Sequence, residues 1–154
     1  MKSRTRARSV ALQVLYEVDI AQHPPAEVLQ LRLEDLKDPL NAELAEFARQ
    51  IVFGVLPLSA QLDHAIARYA PEWPMDQIAA IDRNILRIAC WEFAVQHETP
   101  VKVAINEAVE LAKLYGSDSA ARFVNGVLGT LVEHQREIEQ QVKPSGESGD
   151  TGKD

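Results

Sequence analysis

The stretch that decides the fold is PVKVAINEAVELAKLYGSDSAARFVNGVLGTL, residues 100–131. Val101, Ala104, Ile105, Ala108, Leu111, Ala112 and Tyr115 recur at spacings of three and four, which lines them along one face of a helix. Thr99 and Pro100 read as its N-cap and first position, and Gly116 as its stop. Ser117 or Asp118 then caps a second helix that turns Phe123, Val124, Val127, Leu128 and Leu131 inward. Asn125-Gly126 would ordinarily mark a turn, yet the apolar period runs straight through it. Gly126 costs that helix about 1 kcal/mol relative to Ala. Close approach of a neighbouring helix is the expected compensation.

The same period extends outward in both directions. Toward the N-terminus, Asp76 reads as the cap of a helix carrying Ile78, Ile81, Ile85, Ile88, Ala89 and Phe93, with a break near Asp82. Before it, Leu44, Phe47, Ala48, Ile51, Val55, Leu58, Leu62, Ile66 and Tyr69 hold one stripe for about seven turns. Pro57 predicts a kink in that stripe near Phe53-Gly54. A helix is expected over 26–36. The first helix carries Ala7, Val10, Ala11, Val14, Leu15, Val18 and Ala21 inward and ends at Pro24-Pro25. Toward the C-terminus, Ile138 can extend the last apolar face, and KPSGESGDTGKD (143–154) reads as a disordered polar tail. No sustained strand alternation occurs. The expectation is an all-α helical bundle of about six to seven helices. It forms one domain over 1–142, in two packed three-helix lobes of about 1–70 and 75–142.

The two halves resemble each other. Arg8, Val10, Tyr16, Glu17 and Val18 match Arg83, Ile85, Trp91, Glu92 and Phe93 at an offset of 75, and Pro25 matches Pro100 at the same offset. Val52-Phe53-Gly54-Val55-Leu56 matches Val124-Asn125-Gly126-Val127-Leu128 at an offset of 72. Amphipathic helices reuse few residue types, so coincidence competes with duplication.

Composition excludes several classes. The 154 residues are 46% hydrophobic, enough for a substantial core, and no apolar run reaches membrane-spanning length. Glu17 and Asp19 interrupt the apolar segment behind the basic N-terminus, which argues against a signal peptide and for a cytoplasmic protein. Cys90 is the single cysteine, so no internal disulfide can form. His23, His64, His97 and His134 are scattered, and no phosphate loop, dinucleotide motif or zinc-protease motif is present. Glu107 reads as a solvated or capped carboxylate rather than a general acid. No enzyme activity, cofactor or metal is expected.

Charge supplies the positive lead. The chain has 16 Lys and Arg against 23 Asp and Glu. Lys2, Arg4, Arg6 and Arg8 fall in the first eight residues with no acid among them, leaving 12 cations against 23 anions elsewhere. Four cations at a helix start oppose its dipole. Either they form a solubilising tail, or they form a flexible arm whose guanidinium groups contact phosphates, with the acidic body discouraging indiscriminate binding. Arg122 beside Phe123 can pair a phosphate contact with base stacking, although core packing is the plainer role for Phe123.

ARSVALQVLYEVD (7–19), DRNILRIACWEF (82–93) and the block at 100–131 together resemble the NusB family of transcription antitermination factors. The likeness covers about residues 4–134. It implies two perpendicular three-helix lobes and no enzyme activity. It implies binding of boxA-type single-stranded RNA together with the small-subunit ribosomal protein NusE. The complex would then act with other Nus factors on RNA polymerase at ribosomal RNA operons, with no membrane involved. Carried over by position, the RNA side would use Lys2, Arg4, Arg6, Arg8, Tyr16, Arg122 and Phe123. The NusE side would use Asp76 and Asp82, where acidic charge suits a basic ribosomal protein. A helical protein-interaction module without direct RNA binding is the competing reading.

Overall fold

The computed structural model describes residues 2–72 and 74–143, and the expected polar tail beyond Lys143 lies outside the described residues. These residues form eight α-helices and no strand: α1 Ser3–Ala21, α2 Pro25–Glu34, α3 Ala42–Val55, α4 Ser59–Tyr69, α5 Ala80–Trp91, α6 Val101–Tyr115, α7 Ala120–Val132 and α8 Gln135–Gln141. The expected six to seven become eight because two long helices are interrupted. One core runs from Ala7 to Val142 and draws on both halves of the chain. No helix among the described residues is long and apolar enough to cross a membrane.

α1 starts at Ser3, four residues before the expected Ala7, so the basic segment is helix and not a flexible arm. Lys2 caps it only by position, without a side-chain bond, and its first turn holds no acid. Local capping therefore does not hold this turn. Tertiary bonds do: Thr5 Oγ1 donates to Glu107 of α6 at 2.7 Å, and Arg8 lies buried. α1 ends in Gln22, whose φ of 59° is left-handed, and Pro25 opens α2.

Pro57 breaks the long third helix, but not at Phe53-Gly54. The chain tightens into a 3-10 turn at Leu56–Leu58 and resumes as α4, where Ser59 Oγ donates to the Val55 carbonyl at 3.2 Å. Proline has no N–H for the fourth residue back, and the shorter turn absorbs that loss. The stripe still runs unbroken from Phe47 through Val55 and Leu58 to Ile66, all buried.

The fourth predicted helix also shifts. Asp76 sits in an isolated 3-10 turn, Met75–Gln77. Ile78 is extended, and α5 begins at Ala80 without a side-chain cap. The break falls at 78–79, ahead of Asp82. α5 runs into a π-helical turn, Glu92–Gln96, closed by His97 N–H to the Glu92 carbonyl at 3.0 Å. His97 has a φ of 65°. Gln22 and His97 are the two non-glycine residues with left-handed backbone among those described, and they stand 75 apart, at the offset of the sequence repeat. Thr99, expected as a cap, is displaced by one residue: Pro100 takes the cap position of α6, and Thr99 Oγ1 donates to Glu92 at 2.8 Å.

The two matched glycines differ. A Cβ on Gly54 would lie 2.4 Å from Trp91 Cζ2, so Gly54 is where a neighbouring helix comes close. A Cβ on Gly126 would meet nothing within 4 Å. The close contact expected at Gly126 is absent. The exposed side of α7 carries Asn125, Gly126 and Gly129, while Val124, Val127, Leu128 and Leu131 fill the core.

Candidate nucleic-acid interface

Two bonds fix how α1 lies on α6. Thr5 reaches Glu107, and Gln13 Nε2 donates to the Tyr115 hydroxyl at 3.2 Å. Both pairs are 102 residues apart, so the two helices run parallel and in register, with their N-termini at the same end. Neither has an acid in its first turn or a side-chain cap. Exposed Lys2 and Arg4 stand at this end with Lys102 of α6, which sequence reasoning missed because Lys102 is distant in the chain. A cleft of about 670 Å³ opens there, whose lining includes Lys2, Arg4 and Arg8 together with the acids Glu98 and Glu107.

The four N-terminal cations have separate fates. Arg4 is exposed and lies over the Phe47 ring at 3.7 Å. Arg6 is half-buried, bonds the Asp38 carbonyl and pairs with the exposed Asp38 carboxylate at 3.5 Å. Arg8 is a correction. Only 2% of it is exposed, and its guanidinium forms a fork on Glu92, at 2.9 and 2.7 Å, and lies 3.3 Å from Glu107. Burial alone would lower its pKa, but the hydrogen bonds and charges of Glu92 and Glu107 outweigh that and raise it. Arg8 is therefore engaged by two carboxylates at the buried edge of the cleft that it helps to line. Position explains it: Arg8 follows Thr5 and precedes Leu12 and Leu15 on the buried side of α1.

Arg122 and Phe123 lie at the other end of α6. α7 doubles back on α6 after Gly116, so its first turn is beside the C-terminus of α6, roughly 20 Å along the axis from the cleft at Lys2. α6 thus stands between α1 and α7, and the N-termini of α1 and α7 are not side by side. Arg122 is exposed. Phe123 is half-buried and packs on the core, so both of its expected roles touch the observed position. Tyr16 is half-buried and three residues past Gln13, on the side of α1 that faces the C-terminus of α6.

The two acidic positions are not paired on one face. Asp76 is exposed in its 3-10 turn, whereas Asp82 is 8% exposed, on the buried side of α5 with Ile85 and Ala89. The extended residues at 78–79 break the helical spacing that would have aligned them. Asp82 Oδ1 accepts no hydrogen bond among the described residues and faces the α6–α7 turn, 3.2 Å from where a Cβ on Gly116 would be. Burial raises its pKa. Sequence reasoning also missed a polar knot joining α1, α4 and α5. In it, Asp19 accepts from Arg83 at 2.8 Å and Asn84 at 3.0 Å, and Arg87 forks onto Asp63 at 2.7 Å on each arm.

The described residues place the chain in the all-α class, with eight helices and a cleft where the N-termini of α1 and α6 meet. The chain is a member of the NusB family, whose sequence model matches residues 5–133. It is 50% identical over 136 residues to the transcription antitermination protein NusB of Roseiflexus castenholzii, covering 87% of this chain and 94% of that one. The NusB of Bacillus pumilus is 41% identical over 142 residues, covering 92% of this chain and all of that one. Among solved structures, the antitermination factors NusB and NusE in complex with double-stranded RNA include a chain that superposes with a TM-score of 0.78 at 27% identity, covering 87% of this chain and 98% of that one. Thermotoga maritima NusB gives 0.74 at 28%, covering 94% and 95%.

Proposed function

We propose that this protein binds boxA-type single-stranded RNA together with ribosomal protein NusE, and that the assembly, with other Nus factors, keeps RNA polymerase processive on ribosomal RNA operons. The observation that carries the RNA part is the shared end of α1 and α6. Two uncapped helix N-termini, with Lys2 and Arg4 lining the cleft between them and Lys102 exposed beside it, meet there in a protein that is otherwise acidic. Arg6 lies farther along α1, and Arg122 with Phe123 extends the track past the end of α6. Exposed Asp76 is the acidic group offered to a basic ribosomal partner, and Asp82 would contribute only after the α6–α7 turn moved. The relatives and the NusB–NusE–RNA complex support this reading.

One observation favours a protein-interaction module without direct RNA binding: Arg6 and Arg8 are engaged within the protein by Asp38, Glu92 and Glu107. A titration separates the two. The full chain, with and without NusE, is mixed with a boxA-type strand, a scrambled strand and a duplex across a range of salt. Lys2→Ala and Arg4→Ala should each flatten the salt dependence by a slope of about 0.7. Wild-type protein that binds no RNA, alone or with NusE, would leave only the interaction module.

A further inference from the structure

Between the cationic end of the α1–α6 ridge and Arg122 lies a cleft of about 380 Å³, lined by Arg6, Ser9, Gln13, Leu36, Asp38 and Tyr115. Its volume is that of a small-ligand pocket. Tyr115 closes α6 with its side on the surface, 36% exposed, an unusual place for a large ring in a helix whose other stripe residues are buried or half-buried. The ring is held in place. Its hydroxyl accepts from Gln13 Nε2, and Gln13 Oε1 accepts from Arg32 Nη1 at 2.6 Å. A guanidinium can only donate, so the Arg32 contact fixes the orientation of the Gln13 amide. Arg32 is itself anchored on Glu17 at 3.2 Å. The chain Glu17–Arg32–Gln13–Tyr115 thus ties three helices to one exposed aromatic ring.

From this geometry we infer a nucleobase site: one unpaired base of an RNA strand enters this cleft and stacks on the face of Tyr115. The inference rests on the RNA reading above. Gln13 Nε2 keeps a second hydrogen, which can reach an acceptor on the edge of the stacked base. Arg6 forms the opposite wall. Its partner Asp38 is 88% exposed, so the pair is screened and a phosphate can displace the carboxylate. A strand that leaves the α1 N-terminus for Arg122 passes over this cleft.

The test is a double-mutant cycle with RNA. Wild-type protein, Tyr115→Phe and Tyr115→Ala are titrated, with NusE present, against a boxA-type strand and a set in which each nucleotide in turn is abasic. Tyr115→Ala should weaken binding about tenfold or more, the effect of losing one base–aromatic stack, with an unchanged salt slope. One abasic position should cost as much in wild type and nothing further in Tyr115→Ala. Tyr115→Phe keeps the ring and should keep most of the affinity. Thermal melts monitor folding, and if Tyr115→Ala melts early the cycle is run on Tyr115→Leu, which keeps apolar bulk and removes the ring. Unchanged affinity in Tyr115→Ala, or additive losses at every abasic position, would overturn the base site and leave the RNA reading standing. A wild-type protein that binds no RNA would overturn both.

Discussion

Arg8 and Glu92 form a buried bidentate ion pair, 84 residues apart in sequence, that joins the start of α1 to the end of α5. Thr99 donates a third hydrogen bond to Glu92, and Glu107 adds a second carboxylate to Arg8. Arg83, matched to Arg8, crosses back to Asp19 of α1 at 2.8 Å, whereas Glu17, matched to Glu92, pairs with Arg32 and His23 instead. Each half of the chain therefore holds the other with the equivalent arginine.

Breaking the first pair should be a stability effect and not a binding effect. Arg8→Ala should cost about 3–5 kcal/mol, because it leaves Glu92 buried without its cation. Arg8→Met with Glu92→Met should cost less than either single change. Urea unfolding curves measure both, and equal or greater loss in the double variant would show that the pair does not act as a unit.

The two matched glycines should respond with opposite signs. Gly54→Ala puts a methyl 2.4 Å from the Trp91 ring and should destabilise by roughly 1–3 kcal/mol. Gly126→Ala adds a methyl to open space in a helix interior and should stabilise by about 0.5–1 kcal/mol. The comparison needs only two thermal melts. A destabilised Gly126→Ala variant would mean that an unseen contact covers α7.

Asp82 should make stability depend on pH in an uncommon direction. Burial raises its folded pKa above that of the unfolded chain, so its charged form costs stability at neutral pH, and that cost disappears as pH falls through the raised value. Asp82→Asn should therefore raise Tm at pH 7, with the gain shrinking toward pH 4. Asp19 has the opposite sign. Burial would raise its pKa, but hydrogen bonds from Arg83 and Asn84 and the charge of Arg87 lower it. Its contribution is present above the unfolded carboxylate pKa and lost on acidification through the folded one, so Asp19→Asn should flatten acid denaturation.

Cys90 should report on unfolding. It is fully buried, which pushes its thiol pKa up to about 12. The thiolate that alkylating agents need is absent at pH 8. Labelling of the native protein should run at the rate of opening and accelerate with urea. Fast labelling at rates proportional to reagent would show that α5 is accessible in the native state.

Local chemistry determined the helices. The three-and-four spacing of Ile, Leu, Val and Ala is enough to set α1, α3–α4, α6 and α7, because an amphipathic stripe has one way to bury itself. The stops at Pro24-Pro25 and Gly116 were equally legible, since both act on the residues beside them. The likeness of the two halves was visible too, at offsets of 75 and 72. Tertiary structure decided everything that depends on which face meets which. It turned Arg8 inward, where two carboxylates from distant helices offset its desolvation, while Arg4, one turn away, stayed at the surface. It placed Trp91 on Gly54 and nothing on Gly126, though the two glycines sit in matching motifs. It put α6 between α1 and α7, which separates Lys2 from Arg122 and exposes Tyr115 between them. Sequence records the period of a helix, but the partner of each side chain is set by packing between segments about 100 residues apart.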